Sequence, residues 1–194
     1  MQIIGPTGFD EVATRFRQDH PVTRDHEANT NQDADSALTL ADETFGSWST
    51  VRLSRADIRS VLLPWHLSEG GGRELVPPTG LTVGQAADLL RAHETEFAAA
   101  NPVCTGKLTR FRTAPITSIY LTTRPVPHEH YAGLPQGTGL VHLDGLHRLL
   151  AWELAGRLSP REDLLAYLAG DPTGPDPTAA DDSAPHPISG GLRP

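Results

Sequence analysis

The side chains best suited to chemistry lie in the segment VHLDGLHRLLAWELAG, residues 141–156. Its pattern predicts a short strand, a tight turn at Asp144 and Gly145, and a helix that begins directly after the turn. The N–H groups and the dipole of a helix start favour an anion, and Gly145 lets a ligand approach the backbone. Arg148 could make a forked contact with a phosphate or carboxylate, and Asp144 could cap the helix or hold an accompanying cation. We therefore expect a ligand site at this turn.

The same segment resembles the DGxHR helix-start motif of the ParB and sulfiredoxin-like superfamily. The resemblance implies a small mixed sheet with flanking helices, and it implies that Gly145, His147 and Arg148 receive the phosphates of a nucleotide, with Asp144 near an accompanying Mg²⁺. Leu146 stands where sulfiredoxins carry their catalytic cysteine, so sulfiredoxin chemistry is not expected. The motif is followed by one predicted helix and a proline-rich tail rather than a helix-turn-helix region. Chromosome partitioning is therefore not expected either.

Relatives with this motif include kinases that phosphorylate free serine, so the resemblance implies a phosphotransferase of a specialised metabolic pathway. The substrate would be a small molecule, and the cofactor ATP or another nucleotide with Mg²⁺. Phosphoryl transfer also requires a carboxylate to accept the hydroxyl proton. Glu129 is the candidate base because its loop runs into the strand before the motif, with Glu153 as the weaker choice; Asp144 and His147 complete the candidate catalytic residues. A nucleotide-responsive binding or regulatory protein without turnover is a further hypothesis.

A different hypothesis comes from the histidines. Four imidazoles and two carboxylates lie within twenty residues: His128, Glu129, His130, His142, Asp144 and His147. Because strand or loop positions two apart share a side, His128 with His130, or His142 with Asp144, could each offer two ligands to one ion. Two histidines with a carboxylate suit non-haem iron, and three histidines suit zinc. This hypothesis predicts an iron- or zinc-dependent biosynthetic enzyme with His128, His130, His142 and Asp144 as candidate ligands.

Two other segments have simpler interpretations. Cys104 is the single cysteine, which excludes an intramolecular disulfide framework and zinc sites built on paired cysteines, and we interpret it as a buried thiol. The basic stretch KLTRFR at residues 107–112 is interpreted as a solvated strand edge.

Composition limits the partners. The 194 residues suit one domain, and the net charge of −8 lacks the basic patch of a non-specific nucleic-acid binder. The sequence shows neither a run of about 18 apolar residues nor a secretory leader. We therefore expect a cytoplasmic protein that acts on a small molecule and binds neither nucleic acid nor membrane.

The surrounding elements predict an α/β or α+β fold in one globular domain over residues 1–170. A polar loop is expected at about 20–45, and a disordered tail rich in Pro, Asp and Gly at 171–194. Strands are predicted at 48–53, 116–121 and 140–143, and helices at 8–18, 55–63, 83–100, 146–156 and 159–169.

Overall fold

Seven strands form one mixed sheet in this computed structural model, which describes residues 1–20, 28–67, 71–137, 139–158 and 163–173. The strands are β1 (Gln2–Thr7), β2 (Trp48–Leu53), β3 (Leu62–Leu63), β4 (Leu81–Thr82), β5 (Ile119–Thr122), β6 (Val141–Asp144) and β7 (Leu164–Ala169). Their order across the sheet is β1-β2-β7-β5-β6-β3-β4. The pairs β7–β5 and β6–β3 are parallel, and the other neighbours are antiparallel.

The described residues also form seven α-helices, which cover both faces of the sheet. They are α1 (Phe9–Asp19), α2 (Ala28–Phe45), α3 (Arg55–Ser60), α4 (Val83–Ala92), α5 (Glu94–Ala100), α6 (Pro102–Phe111) and α7 (Leu146–Leu154), with a 3₁₀ turn at Glu129–Tyr131. Apolar side chains of α1 and α2 share one buried cluster with strand residues, while those of α3 to α7 share the other. This arrangement confirms a mixed α/β fold in a single domain.

Successive residues along a strand pack alternately into the two cores. In β7, Ala166 and Leu168 belong to the cluster under α3 to α7, whereas Tyr167 belongs to the cluster under α1 and α2. Side chains along a strand point to opposite faces in turn, so a sheet covered on both sides must be apolar at nearly every position. The central strands β5 and β7 meet that condition.

Several local sequence signals lead to the expected elements. A capping box formed by Thr82 and Gln85 starts α4, with the Gln85 amide N–H donating to the Thr82 hydroxyl at 3.2 Å. Ser54 forms a second capping box with Asp57 at the start of α3. The predicted helix over 83–100 is interrupted at His93, where α4 gives way to α5.

The expected polar loop at about 20–45 is wrong for most of its length, because residues 28–45 form helix α2. Its acidic and amide residues conceal a narrow apolar stripe at Ala34, Leu38 and Ala41, all buried against the sheet. Spacings of four and three residues place these side chains on one helix face. Residues 21–27 lie outside the described part of the chain.

Two further expectations are corrected by the structure. The KLTRFR stretch is not a strand edge: its residues 107–111 belong to α6 and Arg112 follows as the C-cap. The helix begins at Pro102 and buries Cys104 and Leu108, four residues apart. Residues 164–169 are not helical but form β7, in the middle of the sheet between β2 and β5. Strand pairing on both sides overrides the helical propensity of LLAYLA. Residues 159–162 of that predicted helix, and residues 174–194 of the predicted tail, lie outside the described residues.

Within the described ranges, no helix has both the length and the apolar character needed to cross a bilayer.

Candidate metal centre

Three potential metal ligands converge at one end of the sheet: His66, Cys104 and His147. The Cys104 Sγ lies 3.2 Å from the His147 Nε2 and 3.5 Å from the His66 Nε2. One donor atom from each residue lies within 4.8 Å of the other two, and among the described residues this is the one group of three or more such donors that could hold a metal ion. The two imidazole rings meet edge to face, with centroids 5.0 Å apart.

Each ligand comes from a different element. His66 follows β3, and an isolated antiparallel bridge with Val76 fixes its backbone. Cys104 lies in the first turns of α6, and His147 lies in the first turn of α7, directly after β6. Because β3 and β6 are parallel neighbours, the segments that leave their carboxyl ends meet at the same edge of the sheet. That edge is where ligands bind in many α/β folds.

Both histidines are in the protonation state that binds metals. Burial is the main cause that lowers the pKa of His66 to about 4, with smaller contributions from the charges of Lys107 and His130. Burial also lowers the pKa of His147 well below its usual range, and His66 and Lys107 lower it further. Both imidazoles are therefore neutral at pH 7, and each has a nitrogen lone pair available to a metal.

The predicted Asp144-Gly145 turn positions His147. Gly145 has a φ of +109°, and a Cβ atom there would lie 2.9 Å from the Ile119 Cγ2. Both the conformation and the contact require glycine at this position. The turn can therefore place α7 close against β5 only without a side chain at Gly145.

Arg148 and Asp144 hold this turn from inside the protein. The buried Arg148 guanidinium forms an ion pair with Asp144 and donates to the Thr117 hydroxyl and, at 2.8 Å, to the Ser118 carbonyl. The His20 Nε2 lies 3.3 Å from the Asp144 carboxylate. Burial alone would raise the pKa of Asp144, but the charge of Arg148 and the hydrogen bond from His20 lower it far below its usual range. Asp144 is therefore ionised, and its carboxylate stabilises the turn through Arg148 and His20.

The structure does not bring the four ligands predicted from sequence into one group. His128 and His130 lie at the 3₁₀ turn, where their rings are 4.8 Å apart. His142 is buried on β6, and Asp144 is held by Arg148 and His20. Within the histidine-rich span that the sequence indicated, His147 is the residue that reaches the centre.

The two candidate bases for phosphoryl transfer lie in contrasting surroundings. The Glu129 side chain is 84% exposed on the 3₁₀ turn. Glu153 is buried in α7, where it accepts hydrogen bonds from Arg55, Arg59 and Arg91. Glu153 therefore acts as a link between α7 and the helices α3 and α4.

Sequence reasoning missed His66 and Cys104. They lie 38 residues apart, and Cys104 lies 43 residues before His147, so no short metal-binding spacing exists to be recognised. The one available signal was helical: Cys104 and Leu108 are four residues apart, which predicts a buried face for α6. That signal places the thiol inside but does not identify its neighbours.

No curated protein and no solved structure matches the sequence significantly. A family model does match, and it covers residues 1–187, which is nearly the whole chain. The protein therefore belongs to the family of unknown function DUF6309.

Proposed function

We propose that this protein is a zinc-dependent enzyme acting on a small molecule, with His66, Cys104 and His147 as the three protein ligands of the metal. The observation that carries the proposal is the convergence of these three donors from separate elements. Three protein ligands leave one tetrahedral position for water or substrate, as in catalytic rather than structural zinc sites.

The distances between the donors support a tetrahedral site. Zinc–sulfur and zinc–nitrogen bonds of about 2.3 and 2.0–2.1 Å imply a sulfur–nitrogen separation of about 3.6 Å between ligands at a tetrahedral angle. The separations from the Cys104 Sγ to the imidazole nitrogens are 3.2 and 3.5 Å. Two of the three donor–donor separations are therefore close to those of a tetrahedral site, and the third, between the imidazole nitrogens, is within 4.8 Å.

The donor types favour zinc over non-haem iron, the other metal that the histidine-rich segment suggested. The facial iron site uses two histidines and a carboxylate, whereas this group has a cysteine in place of the carboxylate. Zinc binds thiolate and imidazole ligands readily, and it promotes loss of the thiol proton. Zinc held by these three residues would supply a Lewis acid and would lower the pKa of a bound water to about 7.

The ParB and sulfiredoxin-like assignment and nucleotide-dependent phosphotransfer remain a second proposal. One observation favours it: Gly145 at the N-cap of α7 provides no side-chain cap, which suits a phosphate at the first turn of the helix. The geometry supports it less well, because the Arg148 guanidinium is engaged inside the protein and Glu129 lies on an exposed turn. A nucleotide-responsive binding protein without turnover would share this site.

Metal analysis of the purified full-length protein tests the leading proposal. We expect one zinc per chain, and we expect Cys104→Ser and His147→Gln each to weaken zinc binding by at least about 100-fold, in line with loss of a direct ligand. The matched control is His93→Gln, since His93 is an exposed histidine at the α4–α5 break. Circular dichroism of each variant verifies the fold.

Two outcomes would overturn the zinc proposal. One is a wild-type protein that fails to bind zinc stoichiometrically after dialysis against a weak chelator. The other is undiminished affinity in both ligand variants. Parallel calorimetric titration with ATP and Mg²⁺, on wild type and Arg148→Ala, tests the phosphotransferase proposal separately.

A further inference from the structure

His142 is a buried imidazole that the three-ligand centre does not use. Its side chain is 7% exposed, and neither ring nitrogen has a hydrogen-bond partner among the described residues. Burial lowers the pKa of His142 to about 4, so the ring is neutral at pH 7. A neutral imidazole carries one N–H donor and one nitrogen acceptor, and leaving both unpaired in the interior is costly. Buried polar side chains are almost always hydrogen-bonded, so the two nitrogens require a polar partner that the described residues do not supply.

The strand register places His142 on the same face of the sheet as the metal ligands. Its neighbours Val141 and Leu143 belong to the cluster under α1 and α2, so the His142 side chain points to the opposite face. Its cross-strand partner Leu121 belongs to the cluster under α3 to α7, which agrees with this orientation. That face carries α6 and α7, the helices that supply Cys104 and His147.

The electrostatic environment agrees with this placement. The side chains whose charges act on the pKa of His142 are Asp144 and Arg148 of the α7 turn and His66 of the loop after β3. His142 in turn acts on the pKa of His147. Asp144 and Arg148 are already paired with each other, so neither offers the ring a partner. A molecule bound between the ligands and β6 would meet the unpaired ring nitrogens.

We infer that His142 forms a hydrogen bond with the exogenous molecule at the open position of the metal centre, either water or a small substrate bearing an acceptor or hydroxyl group. The inference rests on the proposed function, and it adds a fourth protein group to the site. Through this hydrogen bond His142 orients the bound molecule.

Azide binding to the cobalt-substituted full-length protein tests this role, because cobalt reports its coordination through visible absorption bands and azide accepts hydrogen bonds. We expect His142→Phe to weaken azide binding about tenfold, the usual effect of losing one hydrogen bond. His142→Gln retains a donor and should stay within about threefold of wild type. His93→Gln is the control and should match wild type.

The possible results distinguish failure of the metal centre from failure of the role proposed for His142. Failure of the wild type to bind cobalt overturns the metal centre itself. Normal cobalt binding with equal azide affinity in wild type and His142→Phe overturns the role of His142 alone. If the Phe variant does not fold, ¹⁵N NMR of the wild-type His142 ring gives the answer: azide addition should shift its resonances, and unchanged resonances would refute the contact.

Discussion

Buried histidines control how this protein responds to pH. Burial holds the pKa of both His66 and His142 at about 4 and holds that of His147 well below its usual range. In the unfolded chain each group returns to an ordinary pKa of about 6.5. The unfolded state therefore binds protons, between about pH 6.5 and pH 4, that the folded state does not bind.

We predict that the free energy of unfolding of the metal-free protein falls as pH is lowered through this window. Above about pH 6.5 these histidines are neutral in both states and do not affect stability. Below it, each lowers the free energy of unfolding by at most ~1.4 kcal/mol per pH unit. Urea titrations at pH 7, 6 and 5 measure the slope. His142→Gln removes one titrating group and should make the free energy of unfolding depend less steeply on pH. A free energy of unfolding that does not change with pH would contradict the conclusion that these buried histidines are neutral.

At the scale of elements, the turn between β6 and α7 determines where His147 lies. Gly145 combines a φ of +109° with close approach to Ile119, and Arg148 ties the start of α7 to the backbone before β5. The position of a metal ligand therefore depends on a glycine that does not itself contact the metal site.

We predict that Gly145→Ala destabilises the protein by ~1–3 kcal/mol, through unfavourable backbone conformation and the contact with Ile119, and weakens zinc binding as well. Gly156→Ala is the matched control, because Gly156 also has positive φ, at +67°, but a Cβ there would contact nothing within 4 Å. That variant should lose stability while zinc affinity stays unchanged. If Gly145→Ala bound zinc as tightly as Gly156→Ala, the Asp144-Gly145 turn would not be what positions His147 in the metal centre.

Elements that depend on neighbouring residues could be predicted from the sequence, whereas those that depend on distant segments could not. The Asp144-Gly145 turn and the start of the helix after it depend on neighbouring residues, so the sequence predicted both elements and the structure contains them. β7 depends on pairing with β2 and β5, which are distant in sequence, so LLAYLA was indistinguishable from a buried helix. The metal centre was missed for the same reason. His147 lies in a recognisable motif, but only the packing of α6 and the β3 loop brings the other ligands to it.

At the scale of the whole molecule, the centre connects parts of the chain that the sheet alone does not join. Its ligands come from the loop after β3, from α6 and from α7. Asp144 contacts His20 at the end of α1 as well as Arg148 on α7, so the adjoining turn links the helices on both faces of the sheet. A ligand that binds the folded form alone stabilises it in proportion to the logarithm of its concentration over Kd.

Zinc should therefore stabilise the whole domain. At a free concentration 100 times Kd the gain is about 2.7 kcal/mol, which for a domain of this size raises Tm by roughly 5–10 °C. Thermal unfolding with zinc, with Mg²⁺ and with chelator measures this shift. Mg²⁺ prefers oxygen ligands and should leave Tm unchanged. Cys104→Ser should lose most of the zinc effect because the thiolate joins α6 to the other two ligands, and a zinc-induced rise of equal size in that variant would place the bound metal elsewhere.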